Sequence, residues 1–156
     1  MAKAVCTLRS DDATVYGSLI MTQAHEEAKS IISGELKNLP VGKHAFHINV
    51  YGDLSQPGGS ALGGVFNPFA KNHGAPEDDE RRVGSLGNIT VTTAESSTKV
   101  YMEDKLVKLI GPHSIIGRSM VIHESEDDCG KGGQEQSLQN GNAGPVIAFG
   151  VVGIAR

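Results

Sequence analysis

The chain has 156 residues, a length typical of one domain with its own hydrophobic core. Lys and Arg total 14 against 18 for Asp and Glu, so the formal net charge is −4. With no basic block in the sequence, this charge argues against a nucleic-acid partner. No apolar run approaches the length that spans a membrane. We therefore expect one domain, residues 1–156, that binds neither nucleic acid nor membrane.

Short runs of alternating polar and apolar residues recur along the chain and predict about eight β-strands. They are rich in Val, Ile and Thr and are separated by Gly, Asn, Asp and Pro, which is typical of a β-sandwich or β-barrel. In chain order the runs are 4–8, 15–21, 30–36, 44–49, 88–92, 98–102, 119–122 and 147–154. Only the segment 22–30 has a composition compatible with a short helix.

Two connections, 52–82 and 123–145, are too long to be simple turns. Long loops in a compact domain commonly carry function, and four of the six histidines lie on or beside these two. His47 and Asn49 are two residues apart on a predicted strand, so both side chains leave the same face and could bind one metal ion. The alternative is a hydrogen-bonded structural histidine.

The N-terminal segment becomes charged within twelve residues and holds no apolar signal core, so we expect a cytoplasmic protein. Its two cysteines, Cys6 and Cys129, are far apart and match no metal-binding or redox spacing. Two free thiols in a reducing compartment agree with that location.

Several segments, taken together, resemble the intracellular copper/zinc superoxide dismutases. They are KAVCTL, GKHAFHINVYGD, FNPFAKNHGAPEDDERRVGSLGNIT, HSIIGRSMVIHESEDDCGKGG and GNAGPVIAFGVVGIA, and they follow the family's order over essentially the whole chain. The resemblance implies an all-β fold: an eight-stranded Greek-key β-barrel, or sandwich of immunoglobulin type, with two long functional loops. This agrees with the eight runs found from the pattern alone.

The resemblance also implies one copper and one zinc ion joined by a bridging histidine, but this chain keeps only part of that ligand set. His47 and His123 match copper ligands, and His73 matches a zinc ligand. The other ligand positions read Asn49 on the copper side, Val65 at the bridge, and Arg82 and Ser85 on the zinc side. Valine has no lone pair and arginine adds a positive charge. Copper could therefore be held only weakly, and zinc is not expected at the family's position.

The catalytic machinery implied by the resemblance is incomplete as well. Val65 replaces the histidine that relays a proton, and Val146 replaces the arginine that docks the anionic substrate. We therefore predict a superoxide dismutase homologue with a degenerate metal site, little or no dismutation, and a binding or regulatory role. Two alternatives stay open: a weak copper-dependent superoxide dismutase that uses His47 and His123, and a copper-binding module.

The remaining matches concern the scaffold and the surface. His44 and Asp127 match residues that support the metal ligands. An apolar patch resembles the surface through which the intracellular enzymes pair: Tyr51, Gly52, Ile116, Gly117, Val151 and Ile154. The resemblance thus implies a homodimer, and the binding role implies a further protein partner. Ordinary packing at the end of the barrel is the alternative for the patch.

The disulfide of the family has no counterpart in this sequence. Its two positions read Gly59 and Phe149. The loop 52–65 would then lack both the disulfide and zinc, so we predict that it is mobile or rearranged.

Overall fold

The computed structural model describes residues 1–93 and 97–156. Its strands are β1 (Ala2–Arg9), β2 (Tyr16–Gln23), β3 (Ser30–Lys37), β4 (Gly42–Asn49), β5 (Ser85–Val91), β6 (Ser97–Asp104), β7 (Ser119–His123) and β8 (Val146–Ile154). The long loops contain a 3-10 turn at Pro57–Gly59 and a one-turn helix, α1 (Ser137–Asn140). Neither of these helices is long and apolar enough to span a membrane, in the part of the chain that the structure describes.

All strand pairs are antiparallel, and the order β5-β4-β7-β8-β1-β2-β3-β6 forms a nearly closed barrel. β3 pairs with β6, and β4 lies between β5 and β7, so the chain crosses from one part of the sheet to the other as in a Greek key. The predicted eight-stranded barrel is therefore confirmed.

The prediction of a short helix at 22–30 is wrong. β2 continues to Gln23, and the chain then turns into β3. The Gln23 side chain stabilises this turn: its Nε2 donates to the carbonyls of Glu26 and Ala28, each at 3.0 Å. Its Oε1 accepts the N–H groups of Leu109 and Ile110. A buried side-chain amide thus takes up backbone groups that a helix would have paired internally.

β4 is buried on both faces, and this creates the setting of the candidate site. Phe46 and Ile48 belong to the barrel core. Because strand side chains alternate, His47 and Asn49 leave the opposite face, where the two long loops cover them. β7 is likewise buried along its whole length and ends at His123. The barrel interior and the candidate site therefore lie on opposite faces of the same two strands.

The loop 52–65 packs against β8 at the positions of the missing disulfide. A Cβ on Gly59 would lie 3.5 Å from Cδ1 of Phe149, so the two positions are close together in the fold. Leu62 is fully buried, and the N–H of Gly58 donates to Oδ2 of Asp11 at 2.8 Å. These contacts give the loop anchors that the sequence did not reveal, while its mobility stays a prediction.

Both cysteines are free thiols. Burial raises the pKa of Cys6 to about 12 and that of Cys129 to about 11. Both thiols are therefore protonated and weakly nucleophilic at neutral pH.

A buried ion pair fixes the chain just before β5. Arg81 is the largest of the fully buried side chains, and its Nη1 lies 2.7 Å from Oδ2 of Asp104. Its Nη2 donates to the carbonyl of Val83, and the second carboxylate oxygen of Asp104 accepts two backbone N–H groups. Each charge is thus both paired and hydrogen-bonded, which is what a buried charge requires.

We predict that Arg81→Met lowers the free energy of unfolding by about 3–5 kcal/mol, because it leaves the carboxylate of Asp104 buried without its partner. Urea denaturation followed by circular dichroism measures the change. Lys37→Met is the control, since Lys37 pairs with Glu35 on the exposed surface, and it should cost less than about 1 kcal/mol. Equal effects of the two variants would contradict the prediction.

Candidate metal centre

Asp127, in the loop after β7, bridges two histidines. Its Oδ2 lies 2.8 Å from Nε2 of His47 and 2.8 Å from Nε2 of His73. Its Oδ1 accepts the backbone N–H of Cys129 at 2.8 Å. The potential metal-binding atoms of His47, His73 and Asp127 lie within 4.8 Å of one another. All three side chains are fully buried. The predicted supporting role of Asp127 therefore has a direct geometric basis.

The charge states in this bridge follow from burial and hydrogen bonding. Burial alone would raise the pKa of Asp127, but hydrogen bonds from His47 and His73 hold it well below its ordinary value. Burial lowers the pKa of His47, although its hydrogen bond to Asp127 acts in the opposite direction. Asp127 is thus ionised and His47 neutral. A neutral imidazole that donates from Nε2 carries its lone pair on Nδ1.

On the copper side, His47 Nδ1, Asn49 Oδ1 and His123 Nε2 are buried and have no hydrogen-bond partner among residues 1–93 and 97–156. His123 donates from Nδ1 to the carbonyl of Gly144 at 2.8 Å, so its lone pair is on Nε2. Asn49 donates from Nδ2 to the carbonyl of Gly63 at 2.9 Å. The rings of His47 and His123 are 4.9 Å apart, centre to centre. Three lone pairs on this face are thus available to a cation.

A fourth unpartnered atom, Oγ of Ser119, was missed in the sequence reasoning. Ser119 is fully buried on β7 and is the cross-strand partner of Asn49. Directly paired residues share a face of the sheet, so its hydroxyl belongs to the same wall as Asn49. Its position depends on the register between β4 and β7, which a single serine in the sequence does not signal.

On the zinc side, His73 is satisfied within the chain. In the neutral imidazole, donation from Nε2 to Asp127 leaves the lone pair on Nδ1, and Nδ1 lies 2.7 Å from Oγ of Ser85. The Ser85 hydroxyl is therefore the donor of this hydrogen bond. β5 begins at Ser85, three residues before its predicted start, and this brings the hydroxyl to the histidine. The three residues form a continuous buried hydrogen-bonded chain.

Arg82 places its guanidinium on backbone carbonyls. Its Nε donates to the carbonyl of Lys71 at 3.1 Å, and its Nη1 donates to the carbonyl of Gln139 at 3.0 Å. Its own backbone N–H lies 3.3 Å from Oγ of Ser85. Lys71 is in the first long loop and Gln139 in helix α1 of the second, so this one side chain joins both loops.

The two valines contribute no polar group. Val65 is buried and forms an isolated backbone bridge with Asn49, and Val146 is half-buried at the start of β8. His44, the other predicted supporting residue, has its ring nitrogens 3.0 Å and 2.8 Å from the carbonyls of His123 and Pro40. His44 therefore connects the end of β7 to the turn before β4.

Comparisons with known proteins identify the family of the chain. A family model described as copper/zinc superoxide dismutase (SODC) matches residues 15–152. Proteins named copper–zinc superoxide dismutase from Cryptococcus neoformans var. grubii, Cordyceps militaris and Candida glabrata are 46%, 47% and 48% identical to the chain. The alignments cover 99% to 100% of both sequences. The chain belongs to the copper/zinc superoxide dismutase family, as the resemblance indicated.

The metal-free protein should lose stability on acidification through His123. Burial lowers the pKa of His123 from 6.5 to about 4, and His47 acts in the same direction. Between these pH values the unfolded chain binds a proton that the folded chain does not, so stability is complete above pH 6.5 and falls below it. The loss through His123 alone reaches about 3 kcal/mol, and His47, whose pKa burial also lowers, adds to it. Urea denaturation in EDTA at a series of pH values measures it.

His123→Gln should reduce this pH dependence, because it removes one of the two buried histidines whose pKa is lowered, His47 being the other. His25→Gln is the matched control: His25 is exposed, and its replacement should leave the slope unchanged. A wild-type protein equally stable at pH 6.5 and pH 4.5 would contradict the prediction.

Proposed function

We propose that this family member holds copper weakly, holds no zinc at the family's position, dismutates little or no superoxide and acts by binding. The observation that carries the proposal is Val65. A buried aliphatic side chain stands where the resemblance implies the bridging, proton-relaying histidine, and it can neither bind a metal nor carry a proton. Val146 likewise offers no positive charge to an anionic substrate.

The donor set on the zinc side supports the absence of zinc. Zinc in proteins is usually bound by four nitrogen, sulfur or carboxylate donors. Here the lone pair of His73 already accepts a hydrogen bond from Ser85, and Arg82 contributes a cation where the resemblance implies a ligand. His73, Arg82 and Ser85 therefore do not provide the set of donors that a zinc ion requires.

The copper side fits its ion better. His47 Nδ1 and His123 Nε2 are neutral nitrogen donors that face no other partner among the described residues, and Asn49 Oδ1 adds an oxygen. Copper bound there would supply one-electron redox chemistry. Two imidazoles and a neutral amide are a poorer set than the four histidines implied by the resemblance, so weak affinity is expected. Asp127 orients His47, and the carbonyl of Gly144 orients His123.

A weak copper-dependent superoxide dismutase is the second candidate, and a copper-binding module is the third. Both are favoured by three unpartnered atoms that keep a lone pair for a cation: His47 Nδ1, Asn49 Oδ1 and His123 Nε2. The names of the fungal relatives favour the enzyme. Activity of the copper-loaded protein separates the two.

We predict that the protein reconstituted with copper and zinc dismutates superoxide at least about 100-fold more slowly than the Candida glabrata relative, since loss of a positioned proton donor alone commonly costs a factor of 10²–10⁴. Metal analysis and a superoxide assay on the same sample measure this. Copper uptake without activity would support the binding module over the weak enzyme. Activity near that of the relative would overturn the proposal.

The double variant Asn49→His/Val65→His is the matched test of the ligand argument. Restoring two imidazoles should raise copper affinity by at least about tenfold, measured by competition with a chromogenic chelator. Its activity should stay below that of the relative, because Val146 still offers no charge. Unchanged copper affinity in the double variant would count against the ligand argument.

We also propose a homodimer formed through the apolar patch of Tyr51, Gly52, Ile116, Gly117, Val151 and Ile154. Tyr51 is 60% exposed and Ile154 is 79% exposed, which is unusual for large apolar side chains. A Cβ on Gly52 would lie 3.1 Å from Cγ1 of Val151 and would overlap the carbonyl of Gly117, so these three residues are contiguous. Exposed apolar residues beside this contiguous group support a self-complementary interface between two copies.

We predict that Ile154→Lys converts the dimer to a monomer, because a lysine on each copy would place like charges within an apolar interface. Analytical ultracentrifugation at micromolar concentration measures the mass. Tyr101→Lys is the control, since Tyr101 is 68% exposed on β6 and lies outside the patch. A monomeric wild-type protein would reject the dimer.

A further inference from the structure

Within the described part of the chain, the buried polar side-chain atoms on the zinc side of the centre all have hydrogen-bond partners, whereas those on the copper side do not. Among residues 1–93 and 97–156, no side-chain nitrogen or oxygen of His73, Arg82 or Ser85 is buried without a partner. Atoms that could bind a cation are left without a partner in this way on the copper side. The replacements on the zinc side therefore form a structure of their own.

The first part of this structure is the chain Ser85–His73–Asp127. Ser85 Oγ donates to His73 Nδ1 at 2.7 Å, and His73 Nε2 donates to Asp127 at 2.8 Å. The Ser85 hydroxyl thus takes up the lone pair that a zinc ion would use. Hydrogen bonds within the chain therefore fix the orientation of His73 and, through Asp127, that of His47.

The second part is the pair of hydrogen bonds that the Arg82 guanidinium donates to the two long loops, which we call the fork of Arg82. A charged guanidinium donates from Nε to Lys71 in the first long loop and from Nη1 to Gln139 in the second. Hydrogen bonds from a charged donor are stronger than neutral ones, and the planar fork fixes their directions. Beside it, the N–H of His73 donates to the carbonyl of Leu138 at 2.8 Å, so the two loops meet at this point.

We propose that Arg82 and Ser85 replace zinc as the organiser of the two long loops, so that the loops and the copper-side lone pairs are held in place without any metal. The inference rests on the proposed absence of zinc. Arg82 supplies the positive charge and the connection between the loops. Ser85 supplies the donor that fixes His73.

We call the hydrogen bonds of Arg82 and Ser85 that hold the two long loops together the clamp. Hydrogen exchange measured by mass spectrometry on the full chain in EDTA tests it. Arg82→Gln should speed exchange at least about tenfold in the segments 67–73 and 134–141, because both lose a charge-assisted bond. Ser85→Ala should speed exchange around His73 and leave the segment 134–141 slower than in Arg82→Gln. Exchange in β1 to β3 should stay at the wild-type rate, which shows that the barrel is folded.

Two further variants sharpen the test. Arg82→Lys keeps the charge but not the planar fork and should also loosen both segments. Arg9→Gln removes an exposed arginine on β1 and should change neither. Wild-type exchange in both loops of Arg82→Gln would overturn the clamp, whatever the zinc content.

Zinc is measured separately, by equilibrium dialysis with zinc alone followed by elemental analysis. Stoichiometric zinc on the wild-type protein would overturn the proposed absence of zinc. Zinc below stoichiometry, together with loop exchange that zinc does not slow, supports both the absence and the clamp. The two failures are therefore distinguishable.

Discussion

The carboxylate of Asp127 is the interaction on which the rest of the centre depends. It accepts hydrogen bonds from His47, His73 and a backbone N–H, and it connects the two halves of the site. Because both rings donate to it from Nε2, each neutral imidazole carries its lone pair on Nδ1. Gly141 makes room for it: the residue has φ +72°, and a Cβ there would overlap the carboxylate.

Asp127 accepts a hydrogen bond from both His47 and His73, but the other ring nitrogens of these two histidines have different surroundings. The lone pair of His73 accepts a hydrogen bond from Ser85, whereas that of His47 meets no partner among the described residues. A buried polar group without a partner costs about 1–3 kcal/mol, so the copper side carries a cost that the zinc side does not. A bound cation would remove that cost. This contrast is consistent with the proposed weak copper binding and with the proposed absence of zinc.

The sequence predicted the barrel well, because strand alternation and turn residues are local signals. The two-residue spacing of His47 and Asn49 correctly predicted that their side chains share a face. The segment 22–30 is not helical, because the side chain of Gln23 hydrogen-bonds the backbone carbonyls of the turn. The fork of Arg82 could not be predicted, because Gln139 lies 57 residues away in the chain. The resemblance implies only that Arg82 and Ser85 stand at ligand positions, whereas their hydrogen bonds depend on the folded loops.

High similarity to the fungal relatives is compatible with an altered centre, because the fold and the site use opposite faces of the same strands. Phe46 and Ile48 stabilise the barrel from inside, while His47 and Asn49 face the loops. Replacing an outward ligand therefore leaves the barrel core intact, and the remaining cost is the loss of order in the loops that the metal would hold. Arg82 and Ser85 offset that cost with hydrogen bonds. Family membership thus follows from the barrel, whereas metal content and activity depend on a few outward-facing side chains.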